Sequence, residues 1–180
     1  MLRLLLGGAR SGKSALACSL AEHAGRPVTF VATATVADFE FERRVALHRA
    51  SRPSGWATVE EPVDVEAALG RIDASDTVVV DCLTLWVANL LEAGFGEEAV
   101  VSAATALAAA AEKRPGLVLA VSNEVGSGIV PMNAVSRHFR DVLGRANTAA
   151  SLAASEAYLV VAGRLLRLEP PSACGVTLPR

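Results

Sequence analysis

The sequence predicts an α/β fold with a mostly parallel central sheet flanked by helices and a closing antiparallel strand, and three observations predict it. Apolar runs of strand length recur at Leu2–Leu6, Val28–Thr33, Thr77–Asp81, Leu117–Val121 and Tyr158–Ala162, with helical patterns set among them. The runs at Val78–Val80 and Leu117–Val121 are apolar without alternation, as expected of strands covered on both faces. The first run leads directly into Gly7-Gly8-Ala9-Arg10-Ser11-Gly12-Lys13-Ser14, which fits G-x-x-x-x-G-K-[ST] without a gap.

That third observation carries chemistry. A phosphate chain packs several negative charges into a small volume, so it needs short donors converging on one point. Glycines let the backbone curl until consecutive N–H groups face inward, and the start of the next helix adds partial positive charge. On this reading Lys13 reaches the β- and γ-phosphates, Ser14 places its hydroxyl on Mg²⁺, and Arg10 supplies a further cation. The competing reading is a glycine-rich strand-to-helix turn that binds nothing.

The elements follow in order. A helix over Ala15–Ala24 is closed by Gly25 and Pro27. The second strand ends in Thr33, Ala34 and Thr35, on the carboxyl edge where parallel sheets bind ligands; a plain strand exit is the alternative. Asp38–Ala50 is a charged helical pattern ended by Arg52-Pro53-Ser54-Gly55, with His48 as one of only three histidines. Trp56–Glu61 reads as a short strand and Val63–Ile72 as a helix started near Asp64. Thr77–Asp81 ends in a carboxylate, the form of an aspartate that holds Mg²⁺ opposite the loop serine; helix capping near Leu83 is the alternative role. Glu60 and Glu61 are weaker candidates for the same neighbourhood.

Helices are expected over Leu83–Ala93 and Glu97–Lys113, split at Gly94-Phe95-Gly96. Leu117–Val121 then runs into a polar, glycine-containing stretch, Ser122–Pro131, again on the binding edge. Asn133–Ser155 carries Val135, Phe139, Val142, Leu143 and Ala146 on one stripe, read as core. Tyr158–Ala162 and Arg164–Leu168 surround Gly163 as closing strands.

Composition narrows the class. The 180 residues suit one domain over 1–169, with 170–180 as a flexible tail, and 52% are hydrophobic. A net charge of −2 provides no general basic surface for nucleic acid. Cys18, Cys82 and Cys174 are odd in number and widely spaced, which indicates neither a disulfide framework nor a zinc site. The Ala103–Ala111 run is too short to span a bilayer, so a cytoplasmic protein without membrane insertion is expected.

Several stretches together resemble the bifunctional adenosylcobinamide kinase/adenosylcobinamide-phosphate guanylyltransferase family. They are the phosphate loop; Arg44-Val45 with His48-Arg49, Arg52-Pro53, Trp56, Thr58 and Glu60; and Asn89-Leu90-Leu91. Asn123-Glu124-Val125-Gly126 with Gly128-Ile129-Val130-Pro131 adds the most specific match, and Arg137–Asp141 with Gly144-Arg145 and Asn147 completes the set. The resemblance covers nearly all of residues 2–168.

It implies a RecA-like phosphate-loop fold, Mg²⁺, and a corrinoid substrate that is first phosphorylated by ATP or GTP and then receives GMP from GTP. It also implies a histidine nucleophile, matched here by His48, and a homotrimer in which one subunit's helix completes another's site. By the same matching Thr33, Ala34, Thr35, Arg49, Ala50, Ser51, Arg52, Glu60, Glu61 and Asp81 join Gly7–Ser14 as nucleotide-site candidates, with Ser14 and Asp81 on the metal. Two departures stand out: Asp38-Phe39-Glu40-Phe41 keeps only part of the acidity relatives often carry there, and Asp81 replaces a glutamate found in some. The alternative function is a single-activity phosphate-loop kinase of small molecules that makes no use of His48. A typical GTPase switch is disfavoured, because no Asn-Lys-x-Asp occurs.

Overall fold

Strand and helix alternate through the folded chain. A computed structural model describes residues 1–35 and 53–176. Its elements are β1 (Leu2–Gly7), α1 (Lys13–His23), β2 (Val28–Ala32), β3 (Ala57–Glu60), α2 (Val65–Arg71), β4 (Thr77–Asp81), α3 (Leu83–Glu92) and α4 (Glu97–Lys113). They continue with β5 (Val118–Asn123), α5 (Ala134–Ala153), β6 (Glu156–Val161) and β7 (Arg164–Leu168). The expected helix over Asp38–Ala50 lies outside the described residues.

The seven strands form one sheet in the order β3-β2-β4-β5-β1-β6-β7. Every pairing is parallel except β6 with β7, so the antiparallel closing strand stands where the sequence places it. The two residues between β6 and β7, Ala162 and Gly163, have φ of 50° and 74°, the left-handed pair that a tight hairpin turn needs.

Side chains alternate across each strand, and the two faces are covered differently. One face carries Leu2, Leu4, Leu6, Val78, Val80, Val118 and Ala120 under α2 to α5, with Trp86, Val87, Leu107, Val142 and Leu143 in the same cluster. The other carries Leu5, Phe30, Val79, Leu119, Val121 and Val160 under α1, whose buried members there are the small Ala17 and Ala21, with Leu16, Cys18 and Leu20 packed at the margin. Two alanines let α1 lie close to the sheet, and that closeness brings its first turn to the strand ends.

Two expectations are corrected. Val135 is 80% exposed rather than core, although Val142, Leu143 and Ala146 of the same stripe are buried. A 20-residue helix spans about 30 Å, whereas a six-residue strand spans about 20 Å, so the first turn of α5 overhangs the carboxyl edge of the sheet. Strand β5 runs two residues beyond Val121, to Asn123. Within the expected tail, Pro171–Cys174 forms one turn of 3₁₀ helix, entered through a proline and left through Gly175 at φ 74°. Among the described residues no helix is long and apolar enough to cross a membrane.

Candidate active site

The loop Gly7–Ser14 begins where β1 reaches the carboxyl edge. A Cβ on Gly7 would lie 2.3 Å from the Val160 carbonyl oxygen, so only glycine lets β6 approach this closely. The loop is pinned farther along by the β6–β7 turn, where Gly163 N–H donates to the Ser11 carbonyl at 2.9 Å. Gly12, at φ 100°, precedes the first residue of α1 with no side-chain cap. The helix's leading N–H groups are left for another acceptor.

Lys13 opens that helix and is buried, an uncommon place for an ammonium group. Its Nζ donates to the Gly8 carbonyl at 2.7 Å and to Ser11 Oγ at 3.4 Å, so the charge sits within the curl of the loop. Burial lowers its pKa from the usual lysine value, and the neighbouring Cys82 and Asp81 oppose that shift. Ser14 is half-buried beside it, while Arg10 is exposed at φ 55°.

Asp81 ends β4 on the α1 face, two residues beyond Val79. Its register partners are Ala32 of β2 and Val121 of β5. The capping alternative is not realised: Cys82 is the residue before α3, and no side chain caps that helix. The half-buried carboxylate therefore faces the phosphate-loop side. Burial, with the Asp81 charge, pushes the Cys82 thiol up to about 11.

Ser14 and Asp81 offer two hard oxygen donors on one side of the sheet. Among the described residues no group of three or more His, Cys, Asp or Glu could hold a metal. Such a donor set fits an ion that takes one or two protein oxygens and completes its shell from phosphate and water, as Mg²⁺ does.

The exit from β2 is built differently. Thr33 is buried, its hydroxyl donating to Cys82 O and accepting from Cys82 N, both at 2.8 Å. That hydroxyl ties β2 to the residue after Asp81. Asn89, a buried amide on α3, donates to Thr33 O at 2.8 Å and Pro62 O at 3.0 Å, and its Oδ1 accepts from Thr35 Oγ1 at 3.3 Å. Ala34 is half-buried between them. Glu61 Oε1 accepts from Val63 N and Asp64 N at the approach to α2, and Arg71 lies 3.7 Å from its Oε2. Glu60 is exposed at the end of β3. His48, Arg49, Ala50, Ser51 and Arg52 lie outside the described residues.

Asn89 is the positioning residue that reasoning from local pattern passes over. Its signal is an amide on the buried side of an otherwise apolar helix, where it must find partners. After β5, Glu124 N donates to Gly7 O at 3.1 Å and Glu124 Oε1 accepts from Gly126 N. Arg137 holds the Pro131 and Met132 carbonyls, so this arginine shapes the segment ahead of α5.

Residues 3–168 match the family model described as cobinamide kinase / cobinamide phosphate guanyltransferase. The chain belongs to this family. It is 42% identical over 164 residues to the bifunctional adenosylcobalamin biosynthesis protein CobP of Pseudomonas aeruginosa, covering 91% of this chain and 94% of that protein. It is 38% identical over 176 residues to the protein CobU of Escherichia coli K12, named in the same way, covering 91% and 97%. Among solved structures, the RadB recombinase superposes with a TM-score of 0.50 at 20% identity, over 88% of this chain and 73% of that one. A type III secretion ATPase gives 0.52 at 13% identity, over 88% and 50%. At these identities the two structures speak to the fold: a phosphate-loop NTPase sheet with flanking helices.

Proposed function

We propose that this member of the cobinamide kinase / cobinamide phosphate guanyltransferase family performs two transfers at one triphosphate site. It phosphorylates adenosylcobinamide with ATP or GTP, then joins GMP from GTP to the product through a guanylylated His48. The observation that carries the shared site is Lys13: a buried ammonium inside a glycine loop, on the same side of the sheet as Asp81. A buried cation is costly unless an anion arrives to meet it, and a triphosphate is that anion.

In the first transfer the substrate hydroxyl attacks the γ-phosphorus. An O–P bond forms as the hydroxyl proton is released to water, the bond from γ-phosphorus to its bridging oxygen breaks, and the nucleoside diphosphate leaves with that electron pair. Lys13 and the loop N–H groups hold the phosphate chain in line and neutralise its charge. In the second transfer an imidazole nitrogen of His48 attacks the α-phosphorus and pyrophosphate leaves. The corrinoid phosphate oxygen then attacks the same phosphorus, forming the diphosphate link and releasing His48. Neutral imidazole is a competent nucleophile near pH 7, and the covalent step divides one transfer into two easier ones. Ser14 and Asp81 would hold Mg²⁺, which supplies charge neutralisation on the phosphates when bound.

Incubation with Mg²⁺ and GTP labelled at the α-phosphate, followed by denaturation, tests the histidine step. Acid-labile, base-stable label is expected on the wild type and absent from His48→Ala, which keeps measurable kinase turnover. Absence of label from folded, GTP-binding wild type would favour the single-activity kinase.

A further inference from the structure

Three buried polar side chains on the α2–α5 side of the sheet take no part in the chemistry above: Thr84, Ser122 and Asn147, at 8%, 0% and 5% exposure. They form one cluster. Ser122 Oγ donates to Asn147 Oδ1 at 2.6 Å, and Thr84 Oγ1 lies 3.4 Å from Ser122 Oγ. Three polar groups inside an apolar layer cost free energy unless each is satisfied.

What this cluster holds is a single residue. Asn123 N–H donates to Thr84 Oγ1 at 2.7 Å, and Asn147 Nδ2 donates to Asn123 O at 3.0 Å. Both backbone groups of Asn123 are thus fixed by buried side chains from two different helices. Its own carboxamide is half-buried and hydrogen-bonded to no described residue.

The alternation of β5 shows where that amide lies. Leu119 and Val121 belong to the α1 face, whereas Ser122 bonds to α5 on the other. Asn123 therefore shares the α1 face with Leu119 and Val121, and with Asp81 on the next strand. Its register partner is Gly7, where the phosphate loop begins. Strand β5 lies between β4 and β1, so the amide stands between the aspartate strand and the phosphate-loop strand.

We infer that Asn123 is a nucleotide-contacting residue whose Nδ2 donates to the terminal phosphate of the bound triphosphate, with Thr84, Ser122 and Asn147 as its positioning residues. A carboxamide suits this place because it provides donors without charge. A carboxylate of the same shape would repel the phosphate. The inference rests on the triphosphate-site reading and adds discrimination between tri- and diphosphate.

The test is equilibrium binding of GDP and of a β,γ-imido GTP analogue to wild type, Asn123→Ala, Asn123→Asp and Asn147→Asp, each checked for an unchanged thermal midpoint. Asn123→Ala is expected to weaken the analogue about tenfold while GDP stays within about twofold. Asn123→Asp should weaken the analogue further. Asn147→Asp can still accept from Ser122 but cannot donate to Asn123 O, and should show the same split at smaller size. Equal weakening of both nucleotides, or none in Asn123→Ala, overturns the assignment. Wild type binding neither nucleotide would overturn the triphosphate site itself, and this assignment with it.

Discussion

The two faces of the sheet divide the labour of the molecule. Under α2 to α5 lies a broad layer of leucine, valine and tryptophan that ends in satisfied polar clusters. Under α1 lies a thinner layer, packed on Ala17 and Ala21, that ends at the carboxyl edge in Lys13, Asp81 and Asn123. Neighbours in sequence fall on opposite sides of this division: Val80 packs while Asp81 faces the loop, and Ser122 braces while Asn123 faces it. Because the period is two, these two strand ends each place one side chain in the packed layer and the next, a polar one, on the loop side.

The sharpest way to break the comparison is at Lys13. Lys13→Ala should lower both transfers by about 100-fold or more, since one site serves both. The same change removes a buried ammonium whose burial disfavours its charge, so the thermal midpoint should not fall. Separate assays of each transfer beside a melting curve check this; retention of either transfer at the wild-type rate would split the site in two.

Leu4→Ala is the opposite experiment. Leu4 is 0% exposed on the broad face. Its truncation should cost about 2–5 kcal/mol of stability, measured by denaturant titration. Activity per folded molecule should stay within about twofold of wild type. A large loss of turnover in protein that remains folded would show that the broad face tunes chemistry directly.

A smaller effect lies at Cys82, where the faces meet. The folded thiol titrates near 11 against an ordinary 9.0, so between those pH values the folded chain keeps a proton that the unfolded chain releases. Stability contributed by this group is therefore full below pH 9 and declines as pH rises toward 11. Cys82→Ser should flatten that decline relative to wild type when unfolding free energy is followed across the window. Identical slopes would place the shift elsewhere.

Much of this was legible in the order of residues. The glycine loop is legible because its eight matching positions are consecutive, and unbroken valine runs show strands covered on both sides. The antiparallel closing strand follows from two strand runs with Gly163 alone between them. What escaped local reading depends on distant partners. Ser122 and Asn123 have poor strand propensity, and they extend β5 because Thr84 and Asn147 meet them from helices far along the chain. Val135 fits the apolar stripe of its helix yet stands in solvent, because helix and strand lengths differ and periodicity does not report where a sheet stops. The place of Asn89 depends likewise on three segments that only the fold assembles.

The hairpin turn at Ala162–Gly163 has a temporal meaning as well. Among the described residues β1 pairs with β5 and β6, which lie far along the chain from it, and the clasp on Ser11 comes from Gly163. Long sequence separation between such partners makes their closure late. The glycine loop therefore gains its neighbours only when these distant segments return to it. The β6–β7 hairpin thus fixes the glycine loop from a distant part of the chain.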